Sequence, residues 1–204
     1  TPADAVELGT ADLRWAPETL DIQPCNGPGQ FGQSFDDWGN RFTCSNRNPI
    51  IHDVIPKPQS RDFDLFGHRS MHDVAASGGA SRVYPAIETS TTAFSHTGTH
   101  TAACGVLVYR GTGLGSGCDG WVFVCDPTGF LVAAHRLHPD GMTFRAERII
   151  RDQPTKLDWL TSTDPWFRPV SLANGPDGLL YVVDRASRLH AARVSREVEP
   201  TSGG

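Results

Sequence analysis

The chain has 204 residues, with 21 glycines, 15 prolines and a formal net charge of -5. This acidic balance argues against a nucleic-acid-binding protein, because contact with phosphates usually needs a basic face. The sequence contains no run of about 18 apolar residues, so it predicts no transmembrane helix. The composition is typical of a loop-rich β protein.

The N-terminal part of the chain alternates short strand candidates with turns. Residues 12–15 form a candidate strand, and a turn rich in proline, glycine and asparagine follows at residues 24–29. In residues 36–44 a polar turn around Gly39 precedes strand-forming residues. Residues 56–81 mix proline, serine, glycine and charges without periodicity, which predicts an inserted loop that can include a short helix.

A nine-residue phrase occurs twice further along the chain, at residues 118–126 and 176–184. Each copy has an Asp-Gly pair, then an apolar run that ends on aspartate. Asp-Gly favours tight hairpin turns because glycine tolerates positive φ, and the run that follows is β-branched and aromatic. Each copy therefore predicts a turn and a buried strand, and residues 130–137 are predicted to pair with residues 121–125 as a hairpin.

The C-terminal part is less regular. Residues 143–150 fit either a strand edge or a helical turn, because their apolar positions match both patterns. Residues 185–204 are charged, contain serine and threonine and end in Gly-Gly, which predicts a polar, partly disordered tail after a domain at residues 1–184.

Strand units repeated at intervals of several tens of residues are typical of β-propellers. We therefore predict an all-β fold, namely a partial β-propeller with antiparallel four-stranded blades and long loops. At about 40 to 50 residues per blade, the chain holds roughly three to four blades of a six-bladed type. The open sheet edges of such a partial propeller favour self-association or assembly with missing blades. The alternative is one β-rich domain of ordinary size.

The cysteines form no CxxC pair and no CxxCH motif, which argues against a zinc ribbon, a thioredoxin-like site and a covalent haem in this sequence. Their number is odd, so at least one is unpaired within a single chain. We predict buried structural thiols, with one or two disulfides as the alternative. The five are Cys25, Cys44, Cys104, Cys118 and Cys125.

Two histidines, His96 and His100, lie four residues apart. Gly98 and the surrounding threonines disfavour a helix, and no third ligand is fixed by spacing, so no metal site is assigned to the pair. A catalytic base and a structural or surface role both remain open.

Four segments together resemble the bacterial membrane-bound dehydrogenase propellers, a family similar to the soluble quinoprotein glucose/sorbosone dehydrogenases. They are residues 30–49, 101–111, 120–129 and 162–178. The resemblance implies a quinone-dependent sugar or alcohol dehydrogenase and a periplasmic or extracellular location. It covers later blades only, so the chain is interpreted as a fragment or truncated homologue, and no signal peptide is visible in its first residues. A non-catalytic propeller that binds carbohydrate or protein, or an inactive remnant, is the alternative.

The resemblance also implies which residues form a site. Pyrroloquinoline quinone (PQQ) carries carboxylates, so its site needs cationic side chains, amide donors, an aromatic face and a base. By analogy His100 and Arg168 are the catalytic candidates, and the cofactor-binding candidates are Arg41, Asn46, Arg47, Trp166 and Asn174. Arg41 and Arg47 have an alternative role in turn capping or in pairs with Asp36 and Asp37, and Trp166 has one in core or inter-blade packing.

Calcium is a second cofactor candidate, because quinoprotein sites often use it. Three aspartates offer oxygen ligands, although aspartate at a strand end or in Asp-Gly usually serves turn formation. They are Asp126, Asp177 and Asp184.

Overall fold

The computed structural model describes residues 6–56, 70–89, 96–152, 154–185 and 191–194. Throughout these residues the regular structure is β, with antiparallel sheets, one 3-10 turn at Gly78–Ala80 and no α-helix. The predicted all-β class is confirmed. Within the same residues, no helix is long and apolar enough to cross a membrane.

The strands form four sheets in chain order. The first sheet is a hairpin of β1 (Asp12–Ala16) and β2 (Asp21–Cys25). The second consists of β3 (Gln33–Phe35), β4 (Arg41–Ser45), β5 (Asn48–Asp53) and β6 (Met71–Asp73). The third consists of β7 (Cys104–Val108), β8 (Val122–Asp126), β9 (Leu131–Asp140), β10 (Thr143–Asp152), β11 (Lys156–Asp158) and β12 (Leu160–Thr161). The fourth consists of β13 (Pro169–Asn174), β14 (Leu180–Asp184) and β15 (Ala191–Val194).

The two copies of the repeated phrase and the similar residues 36–44 occupy the same place in three sheets, where each forms the turn after the first strand and most or all of the second strand. Gly39, Gly120 and Gly178 have φ of 84°, 74° and 77°, and each lies in the turn before β4, β8 or β14. These angles are in the region that glycine adopts without steric cost, so the turns explain the Asp-Gly pairs. The predicted hairpin is also confirmed, since β8 and β9 are antiparallel neighbours.

The third sheet is packed on both faces, which explains why all five residues of β8 are buried. On one face Phe123 packs with Leu172 and Leu180 of the fourth sheet. On the other face Val124 packs with Phe42 of the second sheet. Because core side chains cover both of its faces, the third sheet is the centre of the core. Burying one such side chain contributes roughly 1.5–3 kcal/mol.

The first strands of the last three sheets, β3, β7 and β13, lie next to one another, and we call them the central strands. Near their starts, Gly32 approaches Gly105, and a Cβ added at Gly105 would lie 2.8 Å from the Cα of Ser171. Near their ends, Arg110 pairs with Asp37 at 2.5 Å. The central strands therefore run in the same direction, with a shared N-terminal edge and a shared C-terminal edge.

Several segments differ from the sequence-based expectation. β6 lies in the segment predicted as a loop, and residues 57–69 of that loop are outside the described residues. The ambiguous residues 143–150 belong to strand β10. β15 lies in the predicted tail and pairs with β14, while residues 186–190 and 195–204 of the tail are outside the described residues.

Candidate functional site

Five of the predicted site residues come together at the N-terminal edge of the central strands. Because β4 runs antiparallel to β3, its turn into β5 returns to this edge, and that turn carries Asn46 and Arg47. His100 precedes β7, and Trp166 and Arg168 precede β13. The turn joins the third sheet directly, since the Ala103 N–H donates to the Asn46 carbonyl at 3.0 Å.

The other two candidates, Arg41 and Asn174, lie at the C-terminal edge. Arg41 forms an ion pair with Asp12 and a longer one with Asp53 at 3.5 Å, so it joins the first hairpin to the second sheet rather than pairing with Asp36 or Asp37. Asn174 accepts the Arg110 N–H at 3.1 Å and donates to the Val108 carbonyl at 3.1 Å. Both side chains connect sheets far from the other five.

His100 and Asp126 form a fully buried pair. The His100 Nδ1 lies 2.8 Å from the Asp126 Oδ2, and both side chains are 0% exposed. The other oxygen of Asp126 accepts the N–H groups of Thr128 and Gly129, each at 3.0 Å, and the Thr128 hydroxyl at 2.6 Å. Burial alone would raise the pKa of Asp126, but the hydrogen bonds from His100, Thr128 and Gly129 outweigh it, and the pKa is held below its ordinary value.

Arg148 and Asp158 extend this pair into a chain of four. The Arg148 Nη1 lies 3.0 Å from the His100 Nε2, and its Nε donates to the Asp158 Oδ1 at 2.8 Å. The second Asp158 oxygen accepts the Tyr84 N–H at 2.8 Å, and the Asp158 side chain is 0% exposed. A guanidinium only donates, so His100 accepts at Nε2, is neutral and donates its Nδ1–H to Asp126. We call these four residues the buried quartet.

His135 lies beside the quartet. It is 2% exposed, and its Nδ1 has no hydrogen-bond partner among the described residues. Burial lowers the pKa of His135 well below its usual range, and the charge of Arg148 lowers it further. The ring is therefore neutral near pH 7.

The buried quartet fixes the β8–β9 turn, and the β8–β9 turn positions Arg168. Asp126 fixes the turn from inside, and the Pro127 carbonyl accepts the Arg168 Nη1 at 2.7 Å. The Arg168 guanidinium carbon lies 4.3 Å from the centre of the Phe130 ring, a cation–π distance. Because His100 is inaccessible and both its ring nitrogens are bonded, it cannot take a substrate proton in this arrangement. Of the two catalytic candidates, only Arg168 reaches the surface of the edge.

The exposed part of this edge combines aromatic and polar groups. Trp166 is 69% exposed, so it is not part of the core. Asp164 accepts the Trp166 N–H at 2.9 Å, which fixes the turn that presents the indole. Asn46 is exposed, and the Nε of half-buried Arg47 has no hydrogen-bond partner among the described residues. The exposed part of the edge therefore offers a ring face and an amide, beside the half-buried guanidinium of Arg168, whereas the Arg47 Nε is itself buried.

Residues 1–189 match the family model described as Domain of unknown function (DUF7133). The chain belongs to the DUF7133 family. No curated protein matches it, and no solved structure matches it.

In this DUF7133 chain the three aspartates considered for calcium lie at separate places, since Asp126 and Asp184 end strands β8 and β14 and Asp177 lies in the turn before β14. Asp177 accepts the Leu179 N–H at 3.1 Å, and Asp184 accepts the Arg168 N–H at 2.6 Å. Among the described residues, no group of three histidine, cysteine or carboxylate side chains could hold a metal ion.

The sequence alone did not single out Arg148 and Asp158 of the buried quartet, nor the adjacent His135. Arg148 lies in the segment that fitted helix and strand equally, and Asp158 lies in the short strand β11. Only a firm strand assignment for residues 143–150 would have placed Arg148 opposite His135, its partner in the register of β9 and β10. The alternating polar residues of that segment were the available signal.

Proposed function

We propose that this DUF7133 domain is part of a β-propeller of the quinoprotein dehydrogenase type, and that the N-terminal edge of its central strands is the ligand site. Three features support the propeller. The sheets are antiparallel meanders in chain order, their first strands are neighbours, and those strands run in one direction. Propellers place the first strand of every blade around a shared axis in this way.

The observation that carries the functional proposal is the meeting of Asn46, Arg47, Trp166 and Arg168 at one edge. The half-buried guanidinium of Arg168 fits an anionic ring compound such as PQQ, since carboxylates pair best with arginine. The Arg47 Nε has no partner among the described residues, but it is buried and would contact such a ligand only after its side chain moves. Trp166 would supply a ring face and Asn46 an amide donor. When bound, a quinone cofactor accepts the two electrons of a sugar or alcohol oxidation.

His100 does not fit the role of base in this proposal. Its part is to hold the β8–β9 turn and thereby Arg168, so the proton acceptor for a dehydrogenase lies elsewhere. Calcium, if it takes part, binds together with the quinone rather than at a preformed cluster of carboxylates. A periplasmic or extracellular location belongs to the same proposal.

The burial of His100 favours a second candidate, a non-catalytic carbohydrate-binding propeller. A site that carries an exposed tryptophan and polar side chains but no accessible base binds a sugar ring without oxidising it. Trp166 and Asn46 would make the main contacts.

The test is a titration of the purified chain with PQQ and calcium, followed by cofactor absorbance and by thermal unfolding. We expect saturable binding that Arg168→Ala abolishes and Arg110→Ala retains, because Arg110 is an exposed arginine at the opposite edge. Failure of a folded chain to bind PQQ, combined with monosaccharide binding that Trp166→Ala removes, would select the second candidate. Binding of neither ligand would reject both.

A further inference from the structure

Two of the buried cysteines are direct partners across neighbouring strands. Cys104 of β7 is opposite Cys125 of β8 in the antiparallel register. The Cα separation of directly opposed residues falls in the range of a disulfide. Their Cβ atoms are about 4.5–5.5 Å apart, whereas a disulfide needs about 3.5–4.5 Å, so the two strands must approach slightly for the bond to form. Both thiols are free in the structure, as are the other three cysteines.

The two opposed thiols project to the same face of the sheet, and a bulge in β7 brings the next pair, Leu107 and Phe123, to that face as well. Between Cys104 and Leu107 the strand has one residue more than the opposing stretch between Cys125 and Phe123. The extra residue is accommodated at Gly105, whose φ is 61°. As a result Cys104, Cys125 and Phe123 belong to the same core cluster, and Leu107 packs against it.

The remaining cysteines lack a directly opposed cysteine on a neighbouring strand, although Cys44 is close enough to the pair to help raise the pKa of Cys104 and of Cys125. Cys44 packs in the cluster on the opposite face of the third sheet, and its thiol is 3.5 Å from the Phe31 carbonyl. The Cys118 thiol is 3.5 Å from the Leu114 carbonyl in the loop between β7 and β8. Cys25 lies in the peripheral hairpin β1–β2.

We propose that Cys104 and Cys125 are the site of a disulfide that forms while the chain folds in an oxidising compartment. The oxidant is a small-molecule disulfide or a disulfide-transfer protein. A thiolate of the pair attacks the oxidant to give a mixed disulfide, and the second thiolate displaces the oxidant's remaining sulfur. The pair loses two electrons and two protons, and the oxidant's disulfide is reduced to thiols.

The burial of the two thiols determines at which stage of folding the disulfide forms. Burial raises the pKa of Cys104 to about 12 and also raises that of Cys125, so the closed sheet contains almost no thiolate. The exchange therefore takes place before β7 and β8 are covered by the fourth sheet. Once formed, the bond is shielded by the same core from reductants in solution.

The experiment is thiol counting and peptide mapping of the wild-type chain refolded with a mixture of oxidised and reduced glutathione. We expect three of the five cysteines to react with a thiol reagent in denaturant, and one cross-linked peptide to join Cys104 and Cys125. A reductant added before refolding should lower the Tm by several degrees. Five reactive thiols after oxidative refolding, or a cross-link between any other two cysteines, would overturn the proposal.

Variants sharpen the test. Cys118→Ser removes a buried thiol outside the pair and should leave both the cross-link and the sensitivity of the Tm to reductant unchanged. The double variant Cys104→Ser/Cys125→Ser should lose both. Because mapping and counting use the wild-type chain, the proposal stays testable even if the double variant folds poorly.

Discussion

Replacing Asp126 by alanine tests whether the buried quartet stabilises the domain. The substitution removes the acceptor of the His100 Nδ1–H and of two backbone N–H groups in the β8–β9 turn. Asp126 and His100 are both 0% exposed, so water does not replace the lost acceptor without opening the core. His100 then keeps Arg148 on one nitrogen and an unsatisfied donor on the other.

The expected cost follows from these contacts. A buried donor left without a partner costs about 1–3 kcal/mol, and a hydrogen bond to a charged group contributes about 1.5–3 kcal/mol. The turn N–H groups are nearer the surface and regain part of their hydrogen bonding from water. We therefore expect Asp126→Ala to lower the free energy of unfolding by about 4 kcal/mol, which for a domain of this size lowers the Tm by about 8–16 °C.

The assay is urea unfolding followed by tryptophan fluorescence and circular dichroism, with Asp184→Ala as the matched control. Asp184 ends the second copy of the repeated phrase but is only half-buried, so its replacement should cost about 1 kcal/mol. A cost below 1 kcal/mol for Asp126→Ala, or equal costs for the two variants, would refute a stabilising role of the quartet.

Three further outcomes are expected. The pKa of His135 is lowered in the folded state, so the unfolded chain binds a proton more readily below about pH 6.5. The free energy of unfolding should therefore be constant above that pH with respect to His135 and fall below it by up to about 1.4 kcal/mol per pH unit. His135→Leu should remove this slope in urea titrations between about pH 7 and 5. Gly105→Ala should lower the free energy of unfolding by several kcal/mol, since its Cβ would meet the neighbouring backbone at 2.8 Å. Gly115 also has a positive φ but has free space around it, so Gly115→Ala should cost only about 1–2 kcal/mol in the same denaturation assay. Tyr109→Phe should cost about 1–2 kcal/mol, because the buried hydroxyl donates to the Gly178 carbonyl at 2.5 Å; an unchanged urea midpoint would contradict this.

Local chemistry made the strands and turns predictable. Gly120 and Gly178 mark turns because each has a positive φ, and the apolar runs after them form strands. The predicted burial is complete in β8 but only partial in β14, where Val183 is 42% exposed. The strand β15 escaped prediction because its pairing with β14, rather than its polar composition, determines its structure. The same holds for β6, which is three residues long and pairs with β5.

The candidate site was predictable only in part, because it depends on how the sheets meet. His100 was predicted as a catalytic candidate, but its partner Asp126 is 26 positions away and Arg148 is 48 positions away. Spacing along the chain does not encode these contacts, so a structural pair looked the same as a catalytic base. Arg41 was grouped with Arg47 by sequence proximity, although β4 carries the two to opposite edges.

The close approach of the central strands also bears on how the chain folds. Pairing within each sheet joins strands that follow one another, so it closes short loops and costs little entropy. The contacts between central strands join distant residues, as in the 74-position separation of Ser34 and Val108. Docking of the sheets is thus the step of high contact order, and it brings Gly105 against the backbone of Ser171. A side chain at that position would slow the search for the native arrangement as well as weaken it.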